Sequence, residues 1–201
     1  MLKYSATGKC IVLDRQTRGE KHLLLACLSQ SLGLMYIMKR LSNSKTSPLP
    51  DLFDDIDGFT YISSEQSPKF LHDFQIIKRR LNLIKRYDAF QIASEIADKI
   101  IKNARNIEDI PRLYFYAHKA IDALDSLLSP QAVRIKFLYA LTKQEGYPVI
   151  EDFYENLSKP MQQLFAYIVK TPTKDMPEID SRAEAIADKF VDWIKFNTDI
   201  I

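Results

Sequence analysis

Basic side chains in this sequence fall in two blocks that could bind a polyanion. Residues 1–45 carry a net charge of +6 and residues 69–105 a net charge of +5, although the whole chain carries only +2. Positive charge spread along a surface suits the many phosphates of a long anion better than one small anion. A solvated surface without a ligand is the competing interpretation. The candidate anion ligands are Arg15, Arg18, Lys21, Lys39, Arg40, Lys45, Lys78, Arg79, Lys85 and Arg86.

No set of residues has the spacing that catalysis or metal binding requires. His22, His72 and His118 lie far apart and lack the spaced Cys or Asp partners of a metal site. The five glycines do not form a phosphate-binding loop. The acidic cluster at 51–57 does not follow the order of a calcium loop. We therefore predict no catalytic residue, no metal and no cofactor, so the protein is expected not to be an enzyme.

Two further observations indicate a protein of the cytoplasm. Cys10 and Cys27 are the only cysteines, and both lie inside predicted strands, which favours buried thiols over a redox or metal role. The first ten residues contain no apolar run of signal-peptide length, and no run of about 18 apolar residues occurs anywhere. We expect no membrane partner.

The segments that contain the first basic block are predicted to form a β meander. Three apolar runs of strand length, Cys10–Leu13, Leu23–Leu28 and Leu34–Met38, are separated by polar or glycine-bearing turns. The basic residues fall at the turns and strand ends. Tyr36 could offer a stacking surface if it faces outward, but its place in an alternation with Leu34 and Met38 favours a core role.

A further strand pair completes a small barrel in this prediction. Leu52–Ile56 and Phe59–Ile62 are expected to pair across Asp57-Gly58, a dipeptide suited to a tight turn. About five strands in the first 65 residues fit a closed or partly open barrel such as an oligonucleotide-binding (OB) fold.

After Pro68 the apolar residues recur at helical intervals. A helix is predicted from about Pro68 to Lys102, and a break near Tyr87-Asp88 stays open as an alternative. Lys78, Arg79, Lys85 and Arg86 form a basic stripe on one face of this predicted helix. Start and stop residues predict further helices from Asp109, from Ser129-Pro130 to Gly146, over Lys159–Lys170 and from a capping box at Ser181. The predicted fold is α+β, with a barrel domain at 1–67 and an all-helical domain at 68–201.

Five segments follow one another in a recognisable order: CIVLD from Cys10, RGEKHLLLACLS from Arg18, LGLMYIMKR from Leu32, LPDLF from Leu49 and RIKFLYALTKQEGYP from Arg134. This ordered series resembles the bacterial RecO family of recombination mediators and DNA repair proteins. The resemblance implies an OB-fold domain followed by a helical domain. Many members also have a four-cysteine zinc site in the helical domain, but no cysteine follows Cys27 here, so that site is not expected.

The resemblance implies a function and partners. Family members bind single- and double-stranded DNA, anneal complementary strands, contact the tail of single-strand-binding protein and act with RecR to load recombinase. By position, the first basic block would face DNA in a cytoplasmic, nucleoid-associated protein. Our candidate surface for the protein tail, chosen for bases beside apolar groups, comprises Arg112, Tyr116, Lys119, Arg134 and Phe137.

Another class of function stays open. The acidic carboxyl-terminal block and the missing zinc site are compatible with a protein-interaction adaptor that works through its helical domain and has little affinity for DNA. Retained partner binding without any DNA binding would distinguish the adaptor from the mediator.

Overall fold

A computed structural model describes residues 3–41, 48–62, 68–176 and 181–200. The predicted lysine ligand Lys45 lies outside these residues. The strands are β1 Lys3–Ala6, β2 Cys10–Arg18, β3 His22–Ser29, β4 Gly33–Arg40, β5 Asp55–Ile62 and β6 Lys69–Lys78. The α-helices are α1 Tyr87–Asn103, α2 Ile110–Asp125, α3 Pro130–Gln144, α4 Lys159–Lys170 and α5 Arg182–Asn197.

Five strands form a closed barrel, which confirms the predicted fold class of a barrel followed by helices. The strand order is β5-β2-β3-β4-β6, and β5 pairs with β6 to close the ring. β1 pairs with residues 59–62 of β5, beyond the two residues of β5 that pair with β2. Only the β4–β6 pair is parallel among the described pairings. A five-stranded barrel whose third and last strands pair in parallel has the strand order of an OB fold.

The meander of β2, β3 and β4 forms because its apolar residues alternate. Leu23, Leu25 and Cys27 of β3 and Met35 and Ile37 of β4 are buried in one cluster inside the barrel. Intervening side chains face outward, as expected for a period of two. This places Tyr36 outside, with 45% of its surface exposed, so the core role that we favoured for it is wrong.

The predicted hairpin at Asp57-Gly58 is wrong because both residues lie inside one continuous strand. β5 runs through Gly58, which pairs with Phe74 of β6 beside a register shift. A Cβ atom at Gly58 would lie 2.6 Å from the Phe74 Cβ, so the glycine permits close approach of the two strands. The glycine therefore serves a bulge, not a turn.

The predicted helix from about Pro68 is also wrong over its first part. Residues 69–78 form β6, residues 83–85 form a short 3₁₀ turn, and the helix α1 begins only at Tyr87. Because Lys78 lies on a strand and Lys85 in the 3₁₀ turn, the predicted basic stripe on one helix face does not exist. The predicted apolar series begins with Ile77, Leu81 and Ile84, but all three are exposed, on β6 and in the turn that follows it, so their helical spacing does not mark a buried face.

The chain divides into two compact units. The first, which we call the barrel unit, comprises Met1–Arg80 with Ala104–Phe115. The second, the helical unit, comprises Leu81–Asn103 with Tyr116–Ile201. The barrel unit thus includes all of β6, which lies beyond the domain limit predicted at residue 67.

The helical unit is built around α3. The helix α3 packs against α1, α4 and α5, and α4 also packs against α5. Phe153, Phe165, Phe190 and Trp193 form an aromatic cluster in this unit, with the Phe153 and Phe190 rings stacked 4.5 Å apart between centroids. Burial of such rings is a major stabilising contribution in a helical core.

The helix limits follow the start and stop residues. The Asp109 carboxylate accepts a hydrogen bond from the Arg112 N–H at 3.1 Å, so it caps the start of α2 as predicted. Pro130 stands at the start of α3, and Gly146, with φ of 82°, follows its end. The helix α5 begins as predicted, but the Ser181 side chain makes no capping hydrogen bond.

Candidate nucleic-acid interface

One end of the barrel brings together three of the predicted DNA-binding residues. Arg18 ends β2, Lys21 lies in the turn before β3, and Arg40 ends β4. His22 is the register partner of both Arg18 and Arg40, and the Leu41 N–H donates to the Lys21 carbonyl at 2.8 Å. Strand pairing alone therefore fixes these three cations on one edge, which we call the basic edge.

The basic edge is open to water. Arg18, Lys21 and Arg40 are all exposed. Arg18 Nη2 donates to the neighbouring Gln16 side chain at 3.1 Å, which leaves its charge unneutralised. Among the described residues, Lys21 and Arg40 form no ion pair. Exposed cations without carboxylate partners are the groups that phosphates can engage without first breaking an ion pair.

The tight turn of the basic edge depends on Gly19. Its φ is 60°, in the left-handed region, and no atom lies within 4 Å of the position that a Cβ would take. The glycine is needed for the backbone conformation and not for space. This turn sets the spacing between Arg18 and Lys21.

Part of β2 presents a strand edge beside these cations. β2 pairs with β5 only at Cys10 and Ile11, whereas it pairs with β3 as far as Arg18. The stretch from Arg15 to Arg18 is exposed throughout. Positive charge on such an edge discourages pairing with another strand.

Two predicted DNA ligands near this barrel are already held by carboxylates. Arg15 Nη1 lies 3.3 Å from Asp51 Oδ1, and Arg79 Nη1 lies 3.8 Å from Asp54 Oδ2. Arg79 also donates to the Leu49 carbonyl at 3.3 Å. Burial raises the pKa of Asp54, while the Asp51 N–H and the Arg79 charge oppose that rise. Arg15 and Arg79 would have to leave these carboxylates before they could bind a phosphate, whereas the cations of the basic edge would not.

The remaining predicted DNA ligands are dispersed. Lys39 and Arg40 are successive residues of β4 and point to opposite faces of the strand. The Lys39 Nζ lies 4.9 Å from the centre of the Phe74 ring. Lys78 ends β6 in the barrel unit. Lys85 and Arg86 belong to the helical unit, where Arg86 Nη2 bonds to Asp88 Oδ2 at 3.1 Å.

A row of aromatic rings on the outer wall of the barrel was not predicted from the sequence. The Tyr61 and Phe70 rings stack at 5.5 Å between centroids, and these residues are register partners on β5 and β6. His72 meets the edge of Tyr61 at 5.8 Å, and His22 meets Phe70 at 6.0 Å. Alternating aromatic residues at 59, 61, 70 and 72 were the available signal, but it was hidden by the incorrect assignment of a helix after Pro68.

A buried ion pair was also missed. Arg80 Nη1 and Nη2 donate to Asp55 Oδ1 and Oδ2 at 2.9 and 3.0 Å, and the Arg80 side chain has no exposed surface. Arg80 Nη1 also donates to the carbonyl of Phe53, a buried residue with φ of 65°. The pair joins the end of β6 to the start of β5, so it supports barrel closure and not ligand binding.

The residues predicted to bind a protein tail do not share one environment. Arg112 belongs to the barrel unit and pairs with Asp109 at 3.4 Å, whereas the other four belong to the helical unit. Phe137 is 3% exposed, and Arg134 lies between two carboxylates. Tyr116 is half-buried, whereas Lys119 is exposed.

Arg134 is a structural cation of the helical core. Its Nε lies 2.9 Å from Glu95 Oε2, and its Nη1 lies 2.7 Å from Asp188 Oδ1. Burial alone would lower the pKa of Arg134, but the hydrogen bond to Asp188 and the charge of Glu95 raise it. The arginine thereby connects α3 to α1 and α5, and its charge is compensated within the protein.

Both cysteines are buried and free, as predicted. A hydrogen bond to Cys10 and burial together raise the pKa of the Cys27 thiol well above its usual value. Over the described ranges, no group of three or more His, Cys, Asp or Glu side chains is arranged to hold a metal ion. None of the described helices is both long enough and apolar enough to cross a membrane.

Comparison with known proteins does not assign this chain to a family. No protein-family model matches it, and no curated protein matches it. The interface described above therefore depends on the geometry of this chain alone.

Proposed function

We propose that this protein is a non-catalytic DNA-binding mediator of recombination and repair, similar in role to the RecO family. The observation that carries the proposal is the basic edge, where Arg18, Lys21 and Arg40 are exposed at one end of an OB-fold barrel. Three cations held by strand pairing can neutralise phosphates along a strand without rearranging the protein.

The mechanism is electrostatic. Two DNA strands repel each other through their phosphates, and a surface that neutralises phosphates on both lowers that repulsion, so base pairing can nucleate. The same surface would bind single-stranded and duplex DNA. The resemblance adds a RecR-like mediator protein and the tail of single-strand-binding protein as partners, and nucleoid association as the cellular setting.

The barrel and the basic edge favour the mediator over the adaptor. In the adaptor alternative the helical unit carries the function, but two of the predicted partner residues there, Arg134 and Phe137, are an internally paired cation and a core residue. The exposed, unneutralised cations lie on the barrel instead. Tail binding through Tyr116 and Lys119 remains part of the proposal.

Charge reversal of the basic edge tests the proposal. The triple variant R18E/K21E/R40E should lose binding to fluorescein-labelled single-stranded and duplex DNA in anisotropy titrations of the full chain at low salt. The matched control K143E/K159E/K195E changes the net charge equally at three exposed lysines of the helical unit. Equal losses in the two variants would show that only net charge matters, and unchanged binding by the first variant would overturn the assignment of the basic edge.

A further inference from the structure

The outer wall formed by β5 and β6 has a feature that phosphate binding does not use. Phe59 is 50% exposed, and its ring contacts no other ring among the described residues. Phe59 and Tyr61 lie two residues apart on β5 and therefore face the same side of the sheet. The two rings therefore follow each other along one strand, with Phe59 half exposed and Tyr61 half-buried and stacked on Phe70.

Two clefts lie beside these rings. One, of about 540 Å³, is lined by Tyr61, His72, Asp73 and Lys39 among others. The other, of about 470 Å³, is lined by Phe59, Gly58, Asp73 and Gln75 among others. Volumes of this order suit small planar ligand groups. Both clefts border Asp73, the residue at the register shift between β5 and β6.

The polar groups of the clefts match those of a nucleobase and its phosphate. The Asp73 side chain is 82% exposed, and a carboxylate accepts hydrogen bonds from exocyclic amino groups such as that of cytosine. Lys39 supplies a cation at the first cleft, and Lys69 is exposed at the start of β6. A ring, an acceptor and a cation are the three contacts that a nucleotide can satisfy at once.

We propose that this wall stacks bases of single-stranded DNA, with Phe59 and Tyr61 receiving successive bases and Asp73 accepting a base amino group. This inference rests on the proposed function and extends it, because duplex DNA keeps its bases stacked inside the helix and cannot present them to the wall. The wall therefore adds affinity for single strands only, whereas the basic edge acts on both forms of DNA.

Cross-strand stabilisation alone does not account for the wall. The Tyr61–Phe70 pair does stabilise the sheet, as stacked cross-strand rings do. Phe59 contributes no such ring pair and leaves half its surface in water. A half-exposed phenylalanine beside a cleft is a surface to which a partner group can bind.

An abasic oligonucleotide tests the inference with the full chain. The probes are a labelled single strand and a strand of the same length whose central sugars lack bases, so that the phosphates are unchanged. We expect the abasic strand to bind about 5-fold or more weakly, since stacking of one base on an aromatic side chain is worth about 1–3 kcal/mol. Equal affinity for the two strands would overturn the inference and leave phosphate binding intact.

Variants separate the wall from the basic edge. F59A/Y61A should bind the normal and the abasic strand equally while keeping its affinity for duplex DNA. If the double variant does not fold, the single variant F59A replaces it, because Phe59 is half exposed. F196A is the control for removal of an exposed phenylalanine, since Phe196 of α5 is 78% exposed and belongs to the helical unit. A difference between normal and abasic strands that survives in F59A and F59A/Y61A would contradict the inference. Failure of the unsubstituted protein to bind either strand would instead reject the proposed function.

Discussion

Arg80 and Asp55 form a two-point ion pair inside the protein, with Nη1–Oδ1 at 2.9 Å and Nη2–Oδ2 at 3.0 Å. The arginine side chain is fully buried and the aspartate side chain is 8% exposed. Arg80 follows β6 and Asp55 begins β5, so the pair lies where two of the barrel strands meet. Removing one member takes away the opposite charge that compensates the other inside the protein.

We predict that Arg80→Ala destabilises the protein by about 3–5 kcal/mol, because the Asp55 carboxylate loses the opposite charge of Arg80 inside the protein and the Phe53 carbonyl loses the Arg80 donor. Urea unfolding followed by circular dichroism measures the change. Arg79→Ala is the matched control, since Arg79 is 43% exposed and its contact with Asp54 is 3.8 Å, which predicts a change of about 0–1 kcal/mol. Similar losses in the two variants would contradict the structural role of Arg80.

The helical unit has a corresponding site at Arg134. We predict that Arg134→Ala destabilises this unit by about 1–3 kcal/mol, because Glu95 and Asp188 both lose the Arg134 cation and water can replace it only at the more exposed Asp188. Thermal unfolding monitored by Trp193 fluorescence reports on it, as this tryptophan belongs to the aromatic cluster of the unit. Lys102→Ala removes an exposed partner of Asp98 and should change stability by less than about 1 kcal/mol. A larger effect at Lys102 than at Arg134 would refute this prediction.

The barrel strands were predicted correctly where apolar runs of strand length are separated by polar or glycine-bearing turns. The runs at 10–13, 23–28 and 34–38 each alternate or stay apolar, and each became a strand. The prediction failed at β6, where the extra residue Asp73 shifts the phase of alternation so that Leu71 and Phe74 are both directed to the core. The helical spacing that we predicted begins at Ile77, Leu81 and Ile84, which are exposed on β6 and in the turn after it, so the spacing was not evidence of a buried helix face there.

The candidate site was predicted in part for the same reason. Arg18, Lys21 and Arg40 were recognised because they follow strands that were correctly identified. Their meeting on one edge depends on register, which the sequence alone does not specify. The Tyr61–Phe70 stack joins two strands, and the alternating aromatic residues that could have indicated it were hidden because the second strand had been assigned to a helix.

Stability of the barrel should depend on pH through Asp54. Burial raises the pKa of Asp54 in the folded protein, so the folded state binds the proton more tightly than the unfolded state. Stability from this group is therefore present below the ordinary aspartate pKa and is lost as pH rises through the raised value. The difference in unfolding free energy between Asp54→Asn and the unsubstituted protein should change across this pH range, with the asparagine variant becoming relatively more stable as pH rises. A difference that does not vary with pH would contradict the prediction.

The two thiols should be protected from modification in the folded protein. Cys10 and Cys27 are fully buried, and the raised pKa of Cys27 keeps its thiol protonated at neutral pH. We expect a chromogenic disulfide reagent to react with neither cysteine in native buffer and with both in denaturant. A thiol that reacts in native buffer at the rate of a free cysteine would show that the barrel interior is accessible.

The central claim is that the exposed cations of the barrel bind DNA phosphates, and the salt dependence of binding tests it most directly. The measurement is the dissociation constant of the full chain for a labelled single strand at several salt concentrations, repeated with Arg40→Ala. Our account predicts that affinity falls about 20-fold between roughly 50 and 200 mM salt, as three phosphate contacts imply, and that the magnitude of the log–log slope decreases by about 0.7 when Arg40 is removed. A dissociation constant that stays constant over this range of salt would contradict the account.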